Sequence, residues 1–389
     1  MTEQFESNRS LRPARRGAVL SAALALPGVA GLAGLAGPAH AEGAPTEGVI
    51  AYKYLYYKDS QPGLDRITVS SPSLYALVPL GSEWSVEGSG DIDTLGGATP
   101  RWYSSVSSAS YMSEKRRAED VRVARYFHRT VVGVGVAHSK EHDYESKAFS
   151  GDARISTEDN NSTLALGIGH SNDTIDKRGG LPGDSGVGEH KHTTDMLIGL
   201  TQVMTPDDVV LVNLTHSIGR GYFSDPYKQN DNRPRQRDSV VLLGQWNHYL
   251  ERFGATARMS YRYYTDTFRI HAHTAELEWV QPINDKVVVT PNVRYYAQSS
   301  AFFYSDPLAA TGFPPDWGTG YGSADQRLSA FGGMTLGTKV SVQIAPKWTV
   351  DAKVDYYEQH SNWRIGGKGS SGIETFRAQW YEVGVSYKF

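Results

Sequence analysis

Three pairs of histidines are the first residues here whose type and spacing could do chemistry: His138 and His142, His190 and His192, His271 and His273. Two imidazoles spaced by two on a strand share a face, and could bind a transition metal if a third ligand converged. The sequence identifies no third ligand, so no metal is expected. A hydrolase would need a nucleophile beside a base. Ser139 lies near His138 and Asp143, and Ser217 lies next to His216. Adjacent strand residues point to opposite faces, however, so His138 is badly placed to reach Ser139. The chain contains no Gly-x-Ser-x-Gly, no Walker loop and no His-Glu-x-x-His. The absence of cysteine excludes thiolate metal sites, a catalytic thiol, covalent haem attachment and disulfides. The expectation is a protein without a cofactor that is not an enzyme, a triad on a barrel wall being the one enzymatic reading left open.

Charged residues at alternate positions form the second constellation. Arg258, Arg262, Glu276, Glu278, Arg294, Lys339, Asp351, Lys353 and Asp355 are candidates to line a pore, and Lys53, Asp120, Arg122 and Glu382 share their register. Both signs are interleaved. Such a set could give a pore a weak ion preference, or form a cross-strand ion-pair ladder that stiffens the wall. A second polar group lies in the segment from Gly219 to Arg237. Its Asp225, Tyr227, Lys228, Arg233, Arg235 and Arg237 are too many specific polar groups for a plain tether, and a constriction or plug folded into the lumen is expected. A solvated surface loop is the alternative reading.

The elements that must carry these residues follow from a period of two. Tyr381, Val383, Val385, Tyr387 and Phe389 share one face of a final strand, and Glu382, Gly384, Ser386 and Lys388 share the other. One face suits lipid and the other water. The same alternation recurs in Val132, Val134 and Val136, in Leu164, Leu166 and Ile168, in Ala255 to Tyr263, and in Val350 to Tyr356. Seven tight turns separate the strands, at 79–82, 127–129, 158–161, 205–208, 251–254, 282–285 and 345–347. Longer polar connections lie between them, at 177–191, 219–237, 304–326 and 366–372. Seven turns with both termini on one side predict about sixteen strands. The fold expected is all-β, a closed antiparallel transmembrane β-barrel of outer-membrane type. Tyr52, Tyr54, Tyr56, Trp279, Trp348 and Tyr387 are expected at strand ends, where rings sit at the headgroup level.

The ends of the chain fit this reading. Arg9, Arg12, Arg15 and Arg16 precede an apolar run from Gly17 to about Ala36, and Ala39-His40-Ala41 offers a cleavage site, so residues 1–41 are read as a signal peptide and 42–389 as the barrel. Removing four Arg and two Glu with the leader takes the net charge from −3 to about −3 − 2 = −5, with no basic tract suited to nucleic acid. After Ala41 no apolar run approaches the roughly 20 residues of a membrane-spanning helix. Tyr387 and the terminal Phe389 resemble the signal read by the outer-membrane assembly machinery. The expected location is therefore the cell outer membrane, with its lipid and that machinery as partners.

Several phrases also resemble a family of bacterial outer-membrane proteins described only as a domain of unknown function. They are Ser139-x-Glu141-x-Asp143-Tyr144-x-Ser146, Ser224-Asp225-Pro226-Tyr227-Lys228 with Arg233-Pro234 and Arg237, Tyr261-Arg262-Tyr263-Tyr264-x-Asp266, His273-Thr274-x-Glu276, and Arg294-Tyr295-Tyr296-x-Gln298 with Ala301-x-Phe303-Tyr304. The resemblance implies a barrel. Members sometimes encoded beside thioredoxin-like and flavin-transferring proteins imply a link to a periplasmic redox partner, although no motif here binds flavin or haem. A porin-like passive conduit for small polar solutes or ions is the leading functional expectation, and a structural or redox-partner barrel is the alternative.

Overall fold

The computed structural model describes residues 43–98, 111–177, 181, 184–228, 230–307 and 315–389. The leader read from the sequence lies outside the described residues. Sixteen strands follow one another in chain order: β1 (Val49–Gln61), β2 (Leu64–Leu80), β3 (Trp84–Ala98), β4 (Tyr111–Tyr126), β5 (Thr130–Lys140), β6 (Tyr144–Ser156), β7 (Ser162–Ile175) and β8 (Glu189–Thr205). They continue with β9 (Asp208–Gly221), β10 (Gln236–Leu250), β11 (Ala255–Asp266), β12 (His271–Pro282), β13 (Val287–Gln298), β14 (Phe331–Ala345), β15 (Trp348–His360) and β16 (Phe376–Lys388). Each pairs antiparallel with its neighbours in sequence, and β1 pairs with β16 to close the barrel. Closure leaves no strand edge unpaired, which is the condition for a sheet to stand in lipid. The molecule is a closed sixteen-strand antiparallel barrel of outer-membrane type.

All seven tight turns fall where the sequence puts them, and together with both termini they define one end of the barrel, the turn end. The opposite, loop end carries the long connections, but not only those: β1–β2, β5–β6 and β11–β12 are joined there by short links at 62–63, 141–143 and 267–270.

The outward face carries an apolar band. Val134, Val136, Ile168, Leu336 and Val383 are each more than half exposed, and comparable residues recur on strands all round the circumference. That much contiguous apolar surface needs an apolar surrounding. Aromatic rings edge the band, with Trp84, Trp246, Trp348 and Tyr387 toward the turns and Tyr261, Tyr356 and Tyr381 toward the loops. Tyr54 departs from the expectation: it lies in the middle of β1, where strand propensity suffices to explain it. Phe389 seals the seam, exchanging two backbone hydrogen bonds of 3.0 Å with Gly48. Gly48 has no side chain because the Phe389 ring occupies that space; a Cβ there would lie 2.2 Å from the ring.

Candidate functional site

The inward face is the wall of the lumen, and its register fixes which charges point inside. β-Pairing puts Arg258 opposite Glu278, Glu276 opposite Arg294, Lys339 opposite Lys353, Asp351 opposite Gly384, and Asp355 opposite Gly337. All nine charges expected to line a pore therefore lie on the inward face. Five of the nine are tied along the wall, to one another or to Lys53. Lys53 donates to Glu382 at 2.7 Å and lies 3.8 Å from Asp351; Lys353 meets Asp355 at 2.6 Å; Arg258 and Glu278 are 3.9 Å apart. On the far wall Arg122 reaches Asp152 at 2.6 Å and Glu87 at 3.4 Å, and Asp120 accepts from Ser89.

Two of these side chains, Asp355 and Arg122, come to rest where a glycine stands. A Cβ on Gly337 would lie 1.9 Å from the Asp355 carboxylate, and one on Gly133 would lie 2.3 Å from the Arg122 guanidinium. Sixteen strands about 4.8 Å apart and tilted by about 40° enclose a ring roughly 30 Å across, too wide for wall side chains alone to fill. Arg258 and Lys353 keep 27% and 22% side-chain exposure although they point inward, so water reaches them.

The loop end carries a cap. Two connections, 222–235 between β9 and β10 and 299–330 between β13 and β14, are joined through a buried charge cluster. The Arg233 guanidinium donates to Asp325 at 2.8 Å and also lies 2.8 Å from Asp231; Arg327 donates to Asp225 at 2.8 Å and to Asp325. Asn232 and Gly322 exchange backbone hydrogen bonds of 2.9 and 2.8 Å. Burial by itself would raise the Asp325 pKa, but the charges of Arg327, Lys228 and Arg233 outweigh it and hold the carboxyl well below the usual range. Asp231 moves the other way, because burial is only partly offset by Arg233. Beneath the charges sits an apolar cluster of Phe268, Ile270, Ala301, Phe303 and Leu328, with Phe223, Tyr264 and Tyr304 packed against it.

The cap reaches across the mouth. The Tyr227 hydroxyl donates to Asp143 in the β5–β6 link, and the Gln326 amide oxygen accepts from Gln61 of the β1–β2 hairpin at 3.2 Å. These four connections follow β1, β5, β9 and β13, so they arise at quarter turns of the ring. On the β15–β16 side Ser371 donates to Asp306 at 3.2 Å.

Of the six residues expected in the constricting segment, Asp225, Tyr227 and Arg233 join the cap directly, and the Lys228 charge faces Asp325. Arg235 stands exposed at the rim, paired with Glu189. Arg237 corrects the expectation: it belongs to β10, not to the loop, and is a wall residue that bonds Asp266 and Tyr264. Sequence reading missed Asp231, Asp325, Arg327 and Gln61, and singled out Asp143 only beside Ser139 and within a family phrase; Asp325 and Arg327 flank the end assigned to the 304–326 connection, the only signal that could have drawn attention to them.

The histidine pairs lie elsewhere. His271 and His273 face outward and bond Tyr263 and Tyr261, and His138 stands outward between Glu119 at 3.5 Å and Glu145 at 3.0 Å. Ser139, on the opposite face of β5, accepts from Arg116. Among the described residues no group of three or more His, Asp or Glu is placed to hold a metal ion.

Comparison with known proteins gives one family and a set of barrels. A family model described as "Protein of unknown function (DUF3570)" matches residues 107–380. No curated protein matches the chain. Among solved structures, a bacterial polysaccharide outer membrane secretin is 10% identical with a TM-score of 0.48, the match covering 87% of this chain and 98% of that one. OpdK from Pseudomonas aeruginosa, solved with vanillate, is 9% identical at a TM-score of 0.44, over 88% and 98% of the two chains. A Pseudomonas aeruginosa FadL homologue is 11% identical at 0.40, over 88% and 89%.

Proposed function

The chain belongs to the DUF3570 family, and on that premise we propose that it is exported by its leader to the outer membrane and works there as a capped passive conduit for small polar solutes or ions. The turn end then faces the periplasm and the loop end the exterior. The observation that carries this reading is the wall itself. Charged side chains of both signs line it: Arg122 and Asp355 come to rest over Gly133 and Gly337, and Arg258 and Lys353 keep contact with water, an arrangement that suits a passable lumen without a single-sign filter. The cap then sets when the lumen is open, because it closes the mouth with polar contacts between loops and not with strand pairing.

Purified protein in a planar bilayer is expected to show small, infrequent current steps with only mild ion preference. Deleting residues 226–234, which removes Tyr227 and Arg233 from the cap, is expected to raise both step size and open time several-fold. Silence of both proteins, together with co-purification of a periplasmic redox protein, would replace the conduit with a partner-holding barrel.

A further inference from the structure

Arg262 differs from six other inward-facing cations of the wall. Lys53, Arg122, Arg258, Lys353 and Arg237 each have a carboxylate within 4 Å, and Lys339 faces Asp351 and Glu382. Among the described residues Arg262 has none. The register explains why. Its partner on β10 is Leu243 and its partner on β12 is Thr274, while Glu276 stands opposite Arg294 and Ser260 in register. The ionisable groups that face the guanidinium are the phenols of Tyr264 and Tyr296, and it stacks over the Tyr264 ring at 5.6 Å. A partly buried guanidinium without an acid costs desolvation that the stacking on Tyr264 returns only in part.

We propose that Arg262 is the anion-binding residue of a lumenal site for small organic carboxylates with a compact apolar body. The planar fork of arginine matches a carboxylate with two parallel hydrogen bonds. The walls beside it suit the rest of such a molecule: Val241 and Leu243 on β10 are inward-facing and apolar, and the Tyr264 and Tyr296 rings flank the other side. A phosphate would need more than one uncommitted cation, and Arg237, the next guanidinium toward the cap, is held by Asp266 at 2.8 Å. The site lies one inward position below Tyr264, which is itself packed against the apolar base of the cap. A solute that crosses the mouth along this wall passes Arg237, held by Asp266, and then meets Arg262. The proposal deepens the conduit reading by giving it a solute class.

The test is calorimetric titration of the full detergent-solubilised protein with benzoate, and with benzyl alcohol as its uncharged counterpart. It is run also on the protein lacking residues 226–234, so that a closed cap cannot hide the site. Saturable benzoate binding is expected, with benzyl alcohol at least tenfold weaker. Arg262→Gln should weaken benzoate at least tenfold, and Arg262→Lys, which keeps the charge but not the fork, should fall between. Leu243→Glu places a carboxylate opposite Arg262 in register and should abolish benzoate binding while leaving Arg262 in place. Heat-modifiable migration on a gel checks that each variant is folded; if Arg262→Gln is not, the Lys and Leu243 variants carry the test. The proposal is overturned if neither protein binds benzoate saturably, if benzyl alcohol binds as well, or if folded Arg262 and Leu243 variants bind like the parent. Binding in a protein that stays silent in bilayers would remove the conduit and leave the site, whereas current without binding would do the reverse.

Discussion

At the turn end, Asp159 accepts hydrogen bonds from Thr157 and Asn161 while Asn160 takes a left-handed conformation, so the β6–β7 turn is complete within five residues. At the loop end, Arg233 meets Asp325 across 92 residues of chain and Arg327 meets Asp225 across 102. The first kind of contact forms wherever its own few residues are present and is indifferent to the rest of the molecule. The second forms only after sixteen strands have brought distant loops to one mouth, and it exchanges well-hydrated charges for buried ones, which makes it finely balanced. On the proposed conduit reading, the part that opens is the finely balanced end.

That contrast fails at one point, where the largest effect is expected. Phe389 is a turn-end residue whose partner, Gly48, immediately precedes β1, at the far side of the barrel sequence. Deleting Phe389 removes the seam contact and the ring proposed to act as a terminal assembly signal, and should abolish heat-modifiable barrel in the membrane fraction. Normal assembly of the deletion would mean that β1–β16 pairing alone closes the ring. Next in size is Asp325→Ala. It leaves Arg233 and Arg327 buried without their shared acid, a loss of about 3–5 kcal/mol for a buried pair, and should hold the cap open, with a several-fold rise in bilayer conductance. An unchanged conductance would show that the apolar cluster alone keeps the cap shut.

Acidification sharpens the same comparison. Because the folded Asp325 carboxyl is held below its ordinary pKa, its stabilisation is fully present above the ordinary value of about 3.9 and is lost as pH falls through the depressed one. Asp231, whose pKa burial raises, takes up its proton earlier without loosening the cap, since the folded state favours its neutral form. Conductance should therefore stay at its neutral-pH level down to about pH 4 and rise only below it. An opening between pH 5 and 7 would assign the control to a histidine. The smallest effect is expected from Asp159→Ala, which should leave conductance unchanged and lower the unfolding temperature slightly, because a turn-end bond serves only its own turn.

Much of this architecture is legible residue by residue. The alternation of Val350 to Tyr356 against Asp351, Lys353 and Asp355 fixes which side of β15 faces inward, since a slip of one residue would send the carboxylates into the apolar surrounding. Turn residues such as Thr205-Pro206-Asp207-Asp208 mark the strand boundaries locally, and from these two signals the strand count and the inward charges follow. The cap partners are different in kind. Nothing near Arg233 indicates Asp325, and nothing near Asp225 indicates Arg327, because ion pairing carries no periodicity and loops have no register to transmit. Arg237 was assigned to the loop for the same reason: only the pairing of Gly219 with Arg237 shows that β10 has already begun. The isolation of Arg262 is the last case. The sequence alternation puts it inside, but whether an inward charge is neutralised depends on which residues the two neighbouring strands place beside it, and those neighbours are chosen by the register of the closed sheet.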